Sequence, residues 1–155
     1  MQDKIYQELS RMIAESGRVY DTGKIKKAYV CAKKAHGSQK RISGEPYIHH
    51  PLQVACILVE LGMDTECICA ALLHDVVEDT PVTLEQVKGD FGDEIAALVD
   101  GVTKLGKVPL STKEQQQSEN VRKMLLAMNQ DIRVVIIKLA DRLHNICLLY
   151  TSRCV

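Results

Sequence analysis

The chain has 155 residues, 46% hydrophobic and 26% charged, and this balance excludes a disordered or low-complexity protein. Twenty basic residues offset twenty acidic ones, and there is no Trp, so bulk charge and base stacking give little basis for a nucleic-acid partner. No stretch reaches the roughly 18 uncharged apolar residues of a membrane helix, and the polar N-terminus shows no signal peptide. We therefore expect one cytoplasmic domain without a membrane or nucleic-acid partner.

Apolar residues recur at helical spacing along most of the chain, which predicts an all-α fold. The predicted helices cover residues 5–13, 22–36, 51–61, 65–77, 83 or 84 to 91, 93–105, 113–129 and 132–148. Thr22 can cap the second helix, Pro51 suits the first turn of the third, and Thr83 and Gln86 have capping-box spacing. Residues 134–137 would also suit a buried strand, but a single strand would have no partner, so we predict helix there.

The same periodicity assigns the residues that face the core. In the third helix these are Val54, Ile57, Leu58 and Leu61, and in the seventh they are Val121, Met124, Leu125 and Met128. The six cysteines lie mostly among apolar residues, and a cytoplasmic chain keeps its thiols reduced. We expect most of them to be buried structural thiols.

Charge is unevenly distributed along the chain. Residues 24–41 contain seven basic residues and no acidic one, whereas residues 60–100 contain eleven acidic residues and a single lysine. This layout suits a basic rim beside an acidic, metal-binding centre that acts on an anionic substrate. Taken alone, the layout is better explained by solvated helix faces.

Four ionisable residues cluster at the end of the predicted fourth helix. His74 and Asp75 lie within an apolar stretch. Glu78 follows His74 by four residues and Asp79 follows Asp75 by four residues, so each pair shares a helix face. Burying so many ionisable groups is costly unless a counter-charge is present, and a divalent cation would supply one.

Two further residues can complete a metal site. His50 precedes Pro51 at a helix start, and Asp141 stands in an apolar helix with His144 and Asn145 one turn later. His50, His74, Asp75 and Asp141 would together form a site of two histidines and two carboxylates. Mixed nitrogen and oxygen ligands suit Mn²⁺, Fe²⁺ or Zn²⁺.

Several long motifs resemble those of the RelA/SpoT-type (p)ppGpp hydrolases. They are SGEPYIHHP at residues 43–51, LHDVVEDT at 73–80, DGVTKL at 100–105, and the segment from residue 131 to KLADRLHN at 138–145. The similarity runs in order from about residue 20 to residue 146. It implies an HD-domain helical bundle and a Mn²⁺-dependent 3′-pyrophosphohydrolase that converts ppGpp or pppGpp to GDP or GTP and pyrophosphate.

The resemblance also implies a role for individual residues. The metal ligands would be His50, His74, Asp75 and Asp141, and the catalytic acidic pair would be Glu78 and Asp79. Arg41 matches the arginine that packs on the guanine base, and Lys40, Ser43 and Asn145 fall at or near nucleotide-contacting positions. A basic stretch near Arg41 would also attract the anionic substrate.

The chain departs from the family pattern at two positions and near its end. Ile42 stands where the family often has a second basic residue, and Leu148 stands where it has a nucleotide-contacting threonine. We expect residues 1–155 to form a single hydrolase domain that lacks its last helices and any synthetase or regulatory domain. Apolar surface left uncovered would then favour low stability or self-association.

Two other functions remain open on the sequence. One is an HD-superfamily phosphohydrolase that acts on another nucleotide, such as removal of a ribose phosphate from NADPH. The other is a truncated module of little or no catalytic activity that binds guanine nucleotides. The intact pair Glu78 and Asp79 argues for catalysis, whereas Leu148 and the missing helices argue for binding alone.

Overall fold

The computed structural model describes the backbone of residues 3–106 and 113–152, and the side chains of residues 3–106 and 117–148. Within these ranges the chain forms eight α-helices and no strand, which confirms the predicted all-α class. The helices are α1 (Lys4–Glu15), α2 (Thr22–His36), α3 (His49–Glu60), α4 (Thr65–Asp79), α5 (Leu84–Phe91), α6 (Asp93–Gly106), α7 (Lys113–Gln130) and α8 (Ile132–Ser152). The predicted break after the sixth helix lies mostly on residues 107–112, outside the described residues.

Side-chain caps fix the start of several helices. Asp64 accepts a hydrogen bond from the backbone N–H of Cys67 at the start of α4, and Thr83 and Gln86 form the predicted capping box of α5. The prediction that Thr22 caps the second helix was wrong. Asp21 is the cap, because its carboxylate accepts from the N–H of Lys24 at 3.0 Å and Thr22 is already helical.

Helix α4 lies at the centre of the fold and packs against α2, α3, α6 and α8. Its inward residues Ile68, Leu72 and Val76 are completely buried. The helix continues two residues beyond the predicted end, since no Gly or Pro interrupts it before Thr80. Glu78 and Asp79 therefore occupy its last turn, directly after the buried core.

Arg133 fixes the start of α8 against two other helices. Its guanidinium lies 2.8 Å from Asp64 at the cap of α4, 2.9 Å from Glu94 in α6 and 2.7 Å from Asp131. These carboxylates hold the pKa of Arg133 above its usual range, despite the partial burial that opposes protonation. The network sets the position of α8, which carries Asp141 two turns later.

Some residues that were predicted to face the core are exposed instead. Leu61 is 60% exposed because it is the C-cap of α3, beyond the packed part of the helix. Val121, Leu125 and Met128 are exposed because α7 contacts the core through the neighbouring face that carries Met124. Leu139, Leu143 and Ile146 of α8 are also exposed. Self-association through such surfaces stays a prediction.

The cysteines mostly follow the prediction. Cys56, Cys67 and Cys69 are buried, Cys31 is half-buried and Cys147 is exposed, while Cys154 lies outside the described residues. Burial raises the pKa of the Cys69 thiol to about 12, as expected for an inert structural thiol. Among the described helices, none combines the length and apolar character needed to cross a bilayer.

Candidate metal centre

Four buried ionisable residues from three helices meet beside the central helix. His50 lies in the first turn of α3, His74 and Asp75 lie in the last part of α4, and Asp141 lies in the middle of α8. The exposed fraction is 2% for each histidine, 7% for Asp75 and 6% for Asp141. The structure thus brings together all four residues that were predicted to bind a metal.

Asp141 lies between the two imidazoles. Its Oδ1 is 2.7 Å from Nε2 of His50 and 3.7 Å from Nε2 of His74. Asp75 also lies close to both imidazoles, with Oδ1 3.1 Å from Nε2 of His74 and Oδ2 3.9 Å from Nε2 of His50. One atom each from His50, His74 and Asp141 lies within 4.8 Å of the others, which is close enough for a shared cation.

The electrostatics of this cluster favour a positive charge. Burial opposes protonation of His74, but the carboxylates of Asp75 and Asp141 outweigh it and raise the pKa of His74 to about 10. The nearby histidines lower the pKa of Asp75 and Asp141 despite their burial. A divalent cation can take the place of that proton, because neutral imidazole nitrogens and carboxylates are the ligands it needs.

The hydrogen bonding of His74 supports the same assignment. Its Nδ1 lies 2.6 Å from the carbonyl oxygen of Ala71, so the ring donates there, and Nε2 has a lone pair for a cation once its own proton is displaced. Nε2 has no hydrogen-bond partner of acceptable geometry among the described residues, although it is buried. A buried nitrogen that faces two carboxylates fits a metal ligand, and the donor set suits Mn²⁺, Fe²⁺ or Zn²⁺.

A third histidine orients His50. Nδ1 of His144 lies 2.7 Å from Nδ1 of His50, and the two rings stack with centroids 4.9 Å apart. Burial, together with the nearby His50 and Arg41, lowers the pKa of His144 to about 4, so the ring is neutral and its Nδ1 can accept a hydrogen bond from Nδ1 of His50. Nε2 of His50, which faces Asp141 at 2.7 Å, is then the ring nitrogen that would bind a cation.

The acidic pair at the end of α4 has two different environments. Glu78 lines a cavity beside the metal centre, and burial together with Asp75 raises its pKa. Asp79 accepts a 2.9 Å hydrogen bond from the hydroxyl of Tyr47, which also donates to Oδ2 of Asp75 at 3.3 Å. Burial and these two carboxylates raise the pKa of Tyr47, which therefore remains a donor.

The predicted nucleotide-contacting residues lie on one side of the centre. Arg41 donates from Nη2 to Oδ1 of Asn145 at 2.7 Å, and Nδ2 of Asn145 lies 3.4 Å from Oδ1 of Asp141. Lys40 and Ser43 are exposed on the same loop before α3, which is closed by a bridge between Lys40 and Pro46. A path of polar groups therefore leads from this loop to the metal centre.

Sequence reasoning gave no role to three residues at this site, which are Tyr47, Lys138 and His144. Nζ of Lys138 lies 3.2 Å from Oδ2 of Asp141, whereas the histidines approach Oδ1. The available signal was spacing, since Lys138 and His144 lie three residues either side of Asp141 and so share its helix face. Tyr47 lies three residues before His50, within the same motif.

Comparisons with known proteins agree with this geometry. The family model described as HD domain matches residues 28–153. The chain is 55% identical over 122 residues to the "Bifunctional (p)ppGpp synthase/hydrolase SpoT" of Escherichia coli K12, covering 79% of this chain and 17% of that protein. It is 59% identical over 114 residues to a "Guanosine-3′,5′-bis(diphosphate) 3′-pyrophosphohydrolase" of Haemophilus influenzae, covering 74% of this chain and 17% of that protein.

A solved structure extends the likeness to three dimensions. It is described as "A metazoan ortholog of SpoT hydrolyzes ppGpp and plays a role in starvation responses", and it matches with a TM-score of 0.71 and 32% identity. The match covers 86% of this chain and 74% of that one. By contrast, the chain spans only about a sixth of the length of the curated relatives.

Proposed function

Because this chain belongs to the HD domain family, in its SpoT-type branch, we propose that it hydrolyses the 3′-diphosphate of ppGpp and pppGpp, to release pyrophosphate and GDP or GTP. The observation that carries the proposal is the convergence of His50, His74 and Asp141 on one point, with Glu78 beside it. The relatives' names supply the substrate class, and a cytoplasmic location stays a prediction.

The reaction replaces one phosphorus–oxygen bond by another. A water oxygen bonds to the phosphorus attached to the ribose 3′ oxygen, and the bond between that phosphorus and the 3′ oxygen breaks. One proton leaves the water and one proton reaches the 3′ oxygen, so the products are a free 3′ hydroxyl and pyrophosphate. These two proton transfers are what the protein side chains must handle.

His50, His74, Asp75 and Asp141 would hold the divalent cation, which we propose to be Mn²⁺. When bound, such a cation lowers the pKa of water and polarises a phosphoryl oxygen. Glu78 lies beside this centre at the edge of a cavity, and its raised pKa suits a group that takes a proton and returns it near neutral pH. Asp79 accepts from Tyr47, so it is placed to orient that side chain.

The loop before α3 would bind the nucleotide. Arg41 presents a planar cation that can stack on the guanine base, and its hydrogen bond to Asn145 fixes the direction of the guanidinium. Lys40 and Ser43 lie exposed on the same loop, where they can reach phosphate or ribose oxygens.

The test is hydrolysis of ppGpp by the purified chain, with and without added Mn²⁺, followed by anion-exchange chromatography. We expect GDP and pyrophosphate only when Mn²⁺ is present. Asp141→Ala should lose both bound metal and hydrolysis, whereas Asp93→Ala, an exposed aspartate far from the centre, should lose neither. Full hydrolytic activity of Asp141→Ala would overturn the assignment of this metal centre.

The same experiment separates the alternatives. Phosphate release from NADPH with no turnover of ppGpp would indicate another HD phosphohydrolase. Bound metal and bound guanine nucleotide without turnover of either substrate would indicate a binding module.

A further inference from the structure

A polar cavity of about 370 Å³ lies against the metal centre, between α4, α6 and α8. Its lining consists of Val77, Glu78, Thr103, Gly106 and Lys138. The cavity adjoins Asp141, because Nζ of Lys138 is 3.2 Å from Oδ2 of that residue while Oδ1 faces the two histidines. Asp141 therefore links the cavity, through Oδ2, to the histidines, through Oδ1.

Two side chains in the cavity have unused hydrogen-bonding capacity. The side chain of Lys138 is only 15% exposed, and its ion pair with Asp141 occupies one of three N–H donors. Thr103 is 9% exposed, and its hydroxyl has no hydrogen-bond partner among the described residues. Buried polar groups normally find a partner, so an unpaired hydroxyl beside a buried ammonium indicates a ligand.

The absence of a side chain at Gly106 keeps this space open. A Cβ atom at that position would lie 3.1 Å from Nζ of Lys138 and 4.0 Å from Oε1 of Glu78. A larger residue would therefore displace the ammonium and narrow the cavity.

We propose that this cavity is an oxyanion subsite that holds the terminal phosphate of the 3′-diphosphate, bound by the ammonium of Lys138 and the hydroxyl of Thr103. The proposal rests on the function proposed above, since it assigns a place to one part of that substrate. With the terminal phosphate here, the inner phosphorus would lie between the cavity and the metal centre. Glu78, which lines the same cavity, would then be next to the reacting bonds.

The subsite can be tested without turnover, by calorimetric titration of inorganic pyrophosphate into the intact chain in the presence of a metal chelator. Removing the metal leaves only the contacts of the protein with the anion. We expect Lys138→Met to weaken pyrophosphate binding about tenfold or more, because a buried charged contact is lost. Thr103→Val, which keeps the shape, should weaken it severalfold, and Gly106→Ala should weaken it as well.

Lys88→Met is the matched control, since Lys88 is an exposed lysine of α5 far from the cavity. Unchanged pyrophosphate affinity in both Lys138→Met and Thr103→Val would overturn the subsite. A second titration, with Mn²⁺, addresses a merely structural role for the cavity residues. Because Lys138 also contacts Asp141, its loss can alter Mn²⁺ affinity by itself, so Thr103→Val decides the question. We expect the Mn²⁺ affinity of Thr103→Val to stay within about twofold of the parent, and a loss of Mn²⁺ affinity as large as its loss of pyrophosphate affinity would overturn the proposal.

The pyrophosphate titrations test the subsite separately from the proposed hydrolysis of ppGpp. If the chain fails to hydrolyse ppGpp but binds pyrophosphate through Lys138 and Thr103, the subsite stands and the proposed reaction fails. If it hydrolyses ppGpp and the variants bind pyrophosphate like the parent, the reaction stands and the subsite fails.

Discussion

Nη2 of Arg41 donates a hydrogen bond of 2.7 Å to Oδ1 of Asn145, which is 104 residues away in sequence. The bond joins the loop before α3 to the middle of α8, one turn after Asp141. Because Asn145 also approaches Asp141 through Nδ2, the predicted nucleotide loop and the metal centre share one polar network. The guanidinium is thereby held in a defined direction beside the site.

Arg41→Ala should raise the KM for ppGpp by about 10- to 100-fold, since the cation proposed to stack on the guanine base is lost and a desolvated contact of this kind contributes about 2 kcal/mol. Asn145→Ala should act in the same direction, and the double variant should lose less than the product of the two single effects because the residues are partners. The measurement is steady-state kinetics on all three variants. Arg122→Ala, at an exposed arginine of α7, is the control. Independent, multiplicative effects would contradict the coupling.

The contact between His144 and His50 predicts an effect on metal affinity. His144→Ala should weaken Mn²⁺ binding about 10- to 100-fold, because residues that orient a metal-binding imidazole typically contribute that much. His144→Asn, which retains a hydrogen-bond acceptor, should restore part of the loss. Titration with Mn²⁺ measures this directly. The neighbouring His49 provides the control, because its imidazole is half-buried and faces Asp3 instead of the centre. Unaltered Mn²⁺ affinity in His144→Ala would contradict the inference that His144 orients His50.

Glu78 is expected to act on protons without holding the metal. Glu78→Gln preserves the size of the side chain and should retain bound Mn²⁺, while turnover falls by about 10²–10⁴. Metal content and single-turnover rates, measured together, show whether Glu78 transfers protons or binds the metal. Loss of metal in Glu78→Gln would instead place this residue among the metal ligands. Glu85→Gln, at an exposed position in α5, should change neither quantity.

The sequence was informative about the metal centre because its residues lie in long, strongly periodic helices. Once His74 and Asp75 are fixed in a buried α4, their side chains must face a partner, and Asp141 is a carboxylate in the middle of another apolar helix. The end of α4 was less predictable. Glu78 and Asp79 remain helical only because the chain meets no helix breaker before Thr80.

Other features depend on how the helices pack against one another. Periodicity shows that α7 has an apolar side, but not whether another helix covers it, and Val121 and Leu125 are exposed as a result. Similarly, His144 is visible one turn after Asp141, but its contact with His50 depends on the angle between α3 and α8. That angle is set by tertiary contacts such as those of Arg133, which no local pattern encodes.

The close approach of α6 and α8 at Gly101 makes a prediction about stability. A Cβ atom at Gly101 would lie 2.8 Å from Cγ2 and 3.2 Å from Cγ1 of Val134, so the side chain of Val134, or α8 together with it, must shift. Gly101→Ala should therefore lower the free energy of unfolding by about 1–3 kcal/mol, which is the usual cost of overpacking. Thermal or urea unfolding measures the loss.

Gly89→Ala is the matched control, because Gly89 lies within α5 and a Cβ atom there meets nothing within 4 Å. That variant should be more stable by up to about 1 kcal/mol, since Ala has the higher helix propensity. Val134→Ala combined with Gly101→Ala should recover part of the loss, because it removes the methyl groups that the new Cβ meets. A shift of α8 would also move Asp141, so Gly101→Ala should bind Mn²⁺ more weakly than the parent, whereas Gly89→Ala should bind it equally well. A destabilised Gly101→Ala with unchanged Mn²⁺ affinity would show that the metal centre tolerates movement of this helix.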